Sequence, residues 1–334
     1  MAVTPLDSIP ALTKHVPALK SLGFRSVESF LSAARAANPE MSAFLGEDVN
    51  GLISQLPETF RSRNLAFALP PRFAMGVDLA RIPRPQKAFR FSIGAPGVAP
   101  QPQVNWITQM PPVRDQGQRG TCVAFAALAI VEHYQETQNA YQDMSEQFLY
   151  WNCKQNDGKP QGYGTFLANA MPLLERDGCC LEPTWPYNPT IVPGNEGQDP
   201  PPSGAQAQAL QYKVTPYHQL APTSVQALKN ELARQRCIAF DIPVFNSWYQ
   251  SSEVARTGEL TMPIPNELPV GGHAMCLVGY EDDPTDDQLG GGKFILRNSW
   301  GTTAWAYQSA FQPGYGTIPY AYLASYGQEA YSIY

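Results

Sequence analysis

Cysteine is missing from the first 121 residues of this 334-residue chain, and only six follow. So few exclude a small scaffold built on disulfides, which is short and much denser in cysteine. Histidine is scarcer still, with four in the whole chain. A long apolar run is also absent from the start, where Pro5, Asp7, Pro10 and Lys14 interrupt the first twenty residues. That excludes the apolar core of a signal peptide or a membrane span there. No export route or membrane partner is therefore expected, and the location is left open between the cytoplasm and non-classical release. Nor is there a basic surplus: 23 lysines and arginines stand against 29 acids, for a net charge of −6. Phosphate backbones demand the opposite balance, so no nucleic-acid partner is expected.

What is present is enough apolar residue, 43% of the chain, to bury a substantial core. Charge is divided unevenly: residues 1–100 hold 11 basic and 7 acidic side chains, residues 101–334 hold 12 and 22. The two parts should attract. Between 61 and 103 the chain is rich in Pro and Gly, and Arg61, Arg63, Arg72, Arg81, Arg84, Lys87 and Arg90 are opposed only by Asp78. This reads as an extended basic linker.

Ahead of it, Leu12, Val16, Leu19 and Leu22, then Val27, Phe30 and Leu31, recur at three- and four-residue steps, predicting short helices over 10–56. The stretch LKSLGFRSVESFLSAA faintly resembles a helix-hairpin-helix element, a reading the net charge opposes. Beyond the linker, VAFAALAIVEHY at 123–134 is apolar on nearly every face and predicts a buried helix. The breaker-rich run 183–204 predicts a long surface loop. CIAFDIPV, AMCLVGY and KFILRNSW have the length and β-forming residues of strands. Helices early and strands late give an α+β fold. Three parts follow: a helical N-terminal region at 1–60, the linker at 61–103 and a main domain at 104–334.

In DQGQRGTCVAFA, Cys122 follows Gly120-Thr121 and opens the buried helix, where free amides and the positive helix end favour a thiolate. A thiolate there is a competent nucleophile. Taken alone, though, Cys122 reads as a small buried residue. Gln116 lies six residues upstream, and its amide could join the Cys122 N–H as a second donor to an oxyanion. His15 falls in the N-terminal helical unit, His133 late in the buried helix and His218 in a loop. His273, after Gly271-Gly272 at the start of a strand, is the best-placed base. Asn298 could orient the imidazole through its carbonyl, with Trp300 shielding the bond from water.

QGQRGTCVAFA, SEQFLYW, GGHAMCLVGYED and FILRNSWG, in this order, resemble the signature blocks of the papain-like cysteine peptidases. The resemblance spans roughly residues 100–334. It implies a two-lobe fold, a helical lobe begun by the Cys122 helix and a β-rich lobe carrying His273 and Asn298, with a peptide or protein substrate between them. It also implies Cys122 as nucleophile, His273 as acid/base, Asn298 as orienter and Gln116 as oxyanion donor, with no metal or other cofactor. Gly120, Gly164 and Trp300 would face substrate. A transpeptidase or cyclase would use the same residues, and a catalytically silent binding protein is the reading from another class.

The chain departs from the family in places. Arg119 stands where many relatives have a cysteine, so that cross-link cannot form. Cys153 matches another family cysteine, for which Cys179 or Cys180 is a possible partner, and all three are equally readable as reduced. The Gly-Gly pair that holds the substrate backbone falls on Gly164-Thr165. Trp305 is displaced by one position. The N-terminal hundred residues occupy the place of an inhibitory prosegment, with 61–103 as the segment expected to cross the cleft of a zymogen, but without the helical signature of the common plant and animal ones; a separate interaction domain is the alternative. The 183–204 loop reads either as a wall of the cleft or as a tolerated surface insertion.

Overall fold

A computed structural model describes residues 3–66, 73–81, 101–214 and 216–334. In the N-terminal unit the expected short helices are α1 (Val16–Ser21), α2 (Val27–Ala36), α3 (Asn38–Leu45) and α4 (Val49–Ser54), and α5 (Glu58–Ala66) follows beyond them. Ser26 starts α2 by accepting from Ser29 N–H at 3.0 Å, while Ser29 Oγ accepts from the Ser26 amide at 3.1 Å. Two otherwise orphaned amides are thereby satisfied. Phe30, Leu31 and Ala34 of α2 close on Leu12, Leu19, Met41 and Leu52 to form the unit's own core. α5 runs through Ala66, so the extended reading from 61 begins too early. ETFRSRNLA holds no Gly or Pro, and the first breaker is Pro70.

The main domain begins with β1 (Gln103–Asn105), followed by α6 (Cys122–Thr137), α7 (Glu146–Asn156), α8 (Leu167–Arg176) and α9 (Ala205–Ala209). α6 is buried from Cys122 through His133, as its unbroken apolar sequence requires. It lies between α7, α8 and the sheet, and its side chains form one core with Cys276, Val278 and Ile295. Then come β2 (Tyr217–Gln219), α10 (Val225–Ala233), β3 (Ile238–Phe245), α11 (Asn246–Tyr249), α12 (Ser252–Thr257), β4 (Pro269–Asp282), β5 (Gly292–Arg297), β6 (Tyr315–Pro319), α13 (Tyr320–Tyr326) and β7 (Glu329–Ile333). The strands form one antiparallel sheet in the order β2-β7-β3-β4-β5-β6, with β1 on β4. A second core, including Phe240, Trp248, Leu296 and Trp300, fills the sheet lobe.

β4 is the spine. Its first part pairs with β3 and its later part with β1, across a register shift at Leu277/Gly279. Gly279 permits this, since a Cβ there would lie 2.3 Å from Val104 O. His218, expected in a loop, lies in β2 opposite Ser332; a three-residue edge strand leaves too little periodicity to read. All six cysteines are free and buried, so no disulfide joins Cys153 to Cys179 or Cys180.

The N-terminal unit is seated on the sheet lobe through α2. Ser32 Oγ meets Ser252 Oγ and Ser251 Oγ, each at 3.0 Å, and Leu22 O accepts from Met262 N at 2.9 Å. Arg25 pairs with Asp286 across the same junction. No described helix is long and apolar enough to cross a membrane.

Candidate active site

Cys122 is the first residue of α6, and Ala274 N–H, next to His273 on β4, donates to its Sγ at 3.4 Å. That contact joins the helical lobe to the sheet lobe at the two residues on which the chemistry would turn. His273 Nε2 is 2.8 Å from Asn298 Oδ1, which also accepts from Ser299 N–H at 2.7 Å. Two donors on one atom identify it as the amide oxygen, so the imidazole carries its proton on Nε2. Nδ1, buried and without a hydrogen-bond partner among the described residues, is left as the basic nitrogen. Trp300 stacks on the imidazole at 4.3 Å and 20°. Trp305 packs edge-on against Trp300 at 6.0 Å, so the displaced tryptophan supports the same stack.

Gln116 is fully buried. Its Nε2 donates to Arg119 O at 2.8 Å, and its Oε1 accepts from Ser299 Oγ at 2.7 Å. One side-chain N–H remains for a ligand. Ser299, which the sequence reading passed over, thus touches both Gln116 and Asn298; its place between Asn298 and Trp300 was the available signal.

Residues 73–81 lie across this constellation. Phe73 stacks on the free face of Trp300 at 4.5 Å and 8°, and Trp300 Nε1–H donates to Ala74 O at 2.9 Å. Gly76 and Val77 donate to Gly272 O, and Val77 pairs in parallel with Thr165. Thr165 N–H donates to Gly76 O at 2.8 Å, and Asp78 N–H donates to Thr165 O at 2.9 Å. The backbone partner is therefore Thr165. Gly164 contributes by lacking a side chain, since a Cβ there would meet Gly76 O at 2.3 Å. Gly120 faces the same strand: its Cβ would fall 2.8 Å from the Tyr163 ring and 3.1 Å from Met75 O. The Gly271-Gly272 doublet was an unused signal, for Met75, Val77 and Leu79 crowd the positions where side chains would stand.

Burial under this cover sets the electrostatics. Desolvation pushes the Cys122 thiol up to about 12, against the amides of Ala274, Gly76 and Val123, which favour its thiolate. Desolvation also takes His273 down to about 4, against the Asn298 hydrogen bond. Burial thus opposes the helix N-terminus at the thiol and disfavours the charged form of both groups.

A helical lobe and an antiparallel sheet lobe meeting at Cys, His and Asn define the papain-like class. Residues 101–317 match the papain family cysteine protease, more than half of the chain, and the chain belongs to that family. An uncharacterized peptidase C1-like protein of Acanthamoeba polyphaga mimivirus is 30% identical over 222 residues, covering 63% of this chain and 65% of its own length. A senescence-specific cysteine protease of Arabidopsis thaliana is 26% identical over 218 residues, or 64% of this chain and 56% of its own. The chain therefore spans less than two thirds of either relative. Xylellain, a cysteine protease from Xylella fastidiosa, superposes with a TM-score of 0.62 at 26% identity over 80% of this chain and 97% of its own. A digestive procathepsin L 3 of Tenebrio molitor larval midgut shares the fold alone, at 16% identity and a TM-score of 0.53, over 96% of this chain and 99% of its own.

Proposed function

We propose that the chain is a cysteine peptidase that cleaves peptide bonds through Cys122, His273 and Asn298, made as a zymogen whose residues 73–81 occlude the cleft. The observation that carries the peptidase reading is the bond from His273 to Asn298, made on the strand whose next amide touches Cys122 Sγ. His273 Nδ1 takes the thiol proton, and the thiolate attacks a substrate carbonyl carbon. The resulting oxyanion is met by the Cys122 N–H and the free side-chain N–H of Gln116. His273 then returns its proton to the leaving amine. Water, deprotonated by the same imidazole, releases the acyl group and restores the thiol.

Occlusion without cleavage has a local reason. Gly76 donates its N–H to Gly272 O, where it also favours the Cys122 thiolate, and its carbonyl is engaged by Thr165 N–H. The segment fills the place of a substrate without offering the Gly76 carbonyl carbon to the nucleophile. The tight approach needs glycine at 76, because a Cβ would come within 2.0 Å of Gly120 O. Beyond the cleft, Lys159 pairs with Asp78 at 3.0 Å and Arg81 bonds Asp157 O. The same contacts support a division into a helical N-terminal region, a segment crossing the cleft and a peptidase domain at 104–334.

The peptidase reading is tested with a quenched fluorescent peptide library, after limited digestion has removed the N-terminal hundred residues. Hydrolysis lost at least about 10⁴-fold in Cys122→Ala, with His273→Ala similarly depressed, is expected. Activity that survives Cys122→Ala would sink the proposal.

A further inference from the structure

The loop 183–204 contains no regular element, yet its inner surface is tied to the turn that presents Gln116 and Cys122. Arg119, at the place of a family cysteine, is 1% exposed and points into this loop. Its Nη1 donates to Gln147 Oε1 at 2.6 Å and Asn188 O at 2.9 Å, and its Nη2 donates to Glu196 O at 2.9 Å. The guanidinium lies 5.2 Å from the centre of the Tyr150 ring and 5.4 Å from that of Tyr187. Gln147 in turn donates to Gly197 O at 3.0 Å. One planar fork, with its donors fixed in direction, thus holds α7 and both halves of the loop to residue 119.

Tyr187 completes the connection. Its hydroxyl donates to Gln116 O at 2.8 Å and lies 2.7 Å from Thr121 Oγ1. Gln118 N–H donates to Pro189 O at 3.1 Å, and Gly117 has no room for a Cβ, which would stand 2.6 Å from the Pro189 ring. Gln116 Nε2 donates to the carbonyl of Arg119 itself. Gln116, Gln118, Arg119 and Thr121 are therefore held directly to this network.

We propose that Arg119 and Tyr187 are positioning residues for the turn carrying Gln116 and Cys122, and that the 183–204 loop is its fixed backing rather than an insertion. The guanidinium does by hydrogen bonding what a cross-link at 119 would do covalently. The placement of the donors is then indifferent to thiol reductants. This rests on the peptidase reading above.

The test uses full-length wild type, Tyr187→Phe, Arg119→Lys and Arg119→Met, each freed of its first hundred residues by limited digestion. Peptide hydrolysis and the rate of Cys122 alkylation by iodoacetamide are measured side by side. Alkylation needs the thiolate but no oxyanion donor, so it separates misplacement of the donors from general damage. Tyr187→Phe is expected to lower kcat about 10-fold and Arg119→Lys about 30-fold, with KM and alkylation rate within about threefold of wild type. Wild-type kcat in both would overturn the inference and leave the peptidase reading standing. So would kcat and alkylation falling together. If Arg119→Met fails to fold, Tyr187→Phe still decides. A wild type inert to both peptide and alkylation would overturn the peptidase reading and this inference with it.

Discussion

Two stretches meet the candidate site, residues 73–81 and the proline- and glycine-rich 183–204, and they are held by different means. Residues 73–81 are fastened by main-chain hydrogen bonds to Gly272 and Thr165, by the Phe73–Trp300 stack and by partly exposed ion pairs such as Lys159–Asp78. Residues 183–204 are fastened by a buried guanidinium and a partly buried tyrosine hydroxyl. Ion pairs at the surface contribute little, whereas buried polar groups are costly to leave unmade. The first arrangement suits a segment that must leave, and the second suits one that must stay.

The largest effect should come from residues 73–81. Gly76→Ala sets a methyl against the Gly120 carbonyl, and a clash of about 3 kcal/mol should speed epoxide labelling of the full chain about 100-fold. Unchanged labelling would mean that the segment has another way to seat.

Arg119→Met should do the converse. Leaving Gln147 Oε1, Asn188 O and Glu196 O without their donor should cost about 3 kcal/mol and lower Tm by about 6 °C, with no rise in labelling of the full chain. Calorimetry beside the labelling assay checks both halves.

A third difference is in pH. The cover holds His273 down to about 4, so the covered form forgoes a proton that an exposed imidazole takes up near 6.5. Stability of the cover is therefore fully present above 6.5 and is lost as pH falls towards 4. Labelling of the full chain relative to the truncated one should rise about tenfold from pH 7 to pH 5; a constant ratio would show that the cover does not set the histidine's environment. Upward, the thiol held up to about 12 weakens the cover only above about pH 9.

Smaller still, Phe73→Ala removes the stack on Trp300, worth about 1 kcal/mol, and should raise labelling about fivefold. Smallest is the effect of dithiothreitol. With six free thiols, it should leave Tm unchanged, and alkylation of the unreduced, denatured protein should add six groups.

The sequence made the lobe framework legible because α6 is apolar on nearly every face and β3 and β5 carry strand-length runs of β-forming residues, and four signature blocks pointed to the candidate chemistry. Cys122, His273, Asn298 and Gln116 come together in the structure as that reading implied. What was not legible depends on contacts between segments far apart in the chain. Nothing in Gly76 or Phe73 marks them as lying on Gly120 and Trp300, and Arg119 reads only as a missing cysteine until Asn188 and Glu196 are seen around it. The start of the linker was misplaced for a local reason, since basic composition at 61–66 does not forbid a helix. The helix end that favours the thiolate is visible in sequence, whereas the degree of burial that opposes it is not.

The most direct test of the account compares epoxide labelling of the full chain with that of a truncated chain beginning at residue 101, read by intact mass at pH 7 with Cys122→Ala as control. The account predicts rapid single labelling of the truncated chain at Cys122 and protection of the full chain. Equal labelling of both would contradict occlusion by residues 73–81, and labelling of neither would contradict the assignment of Cys122.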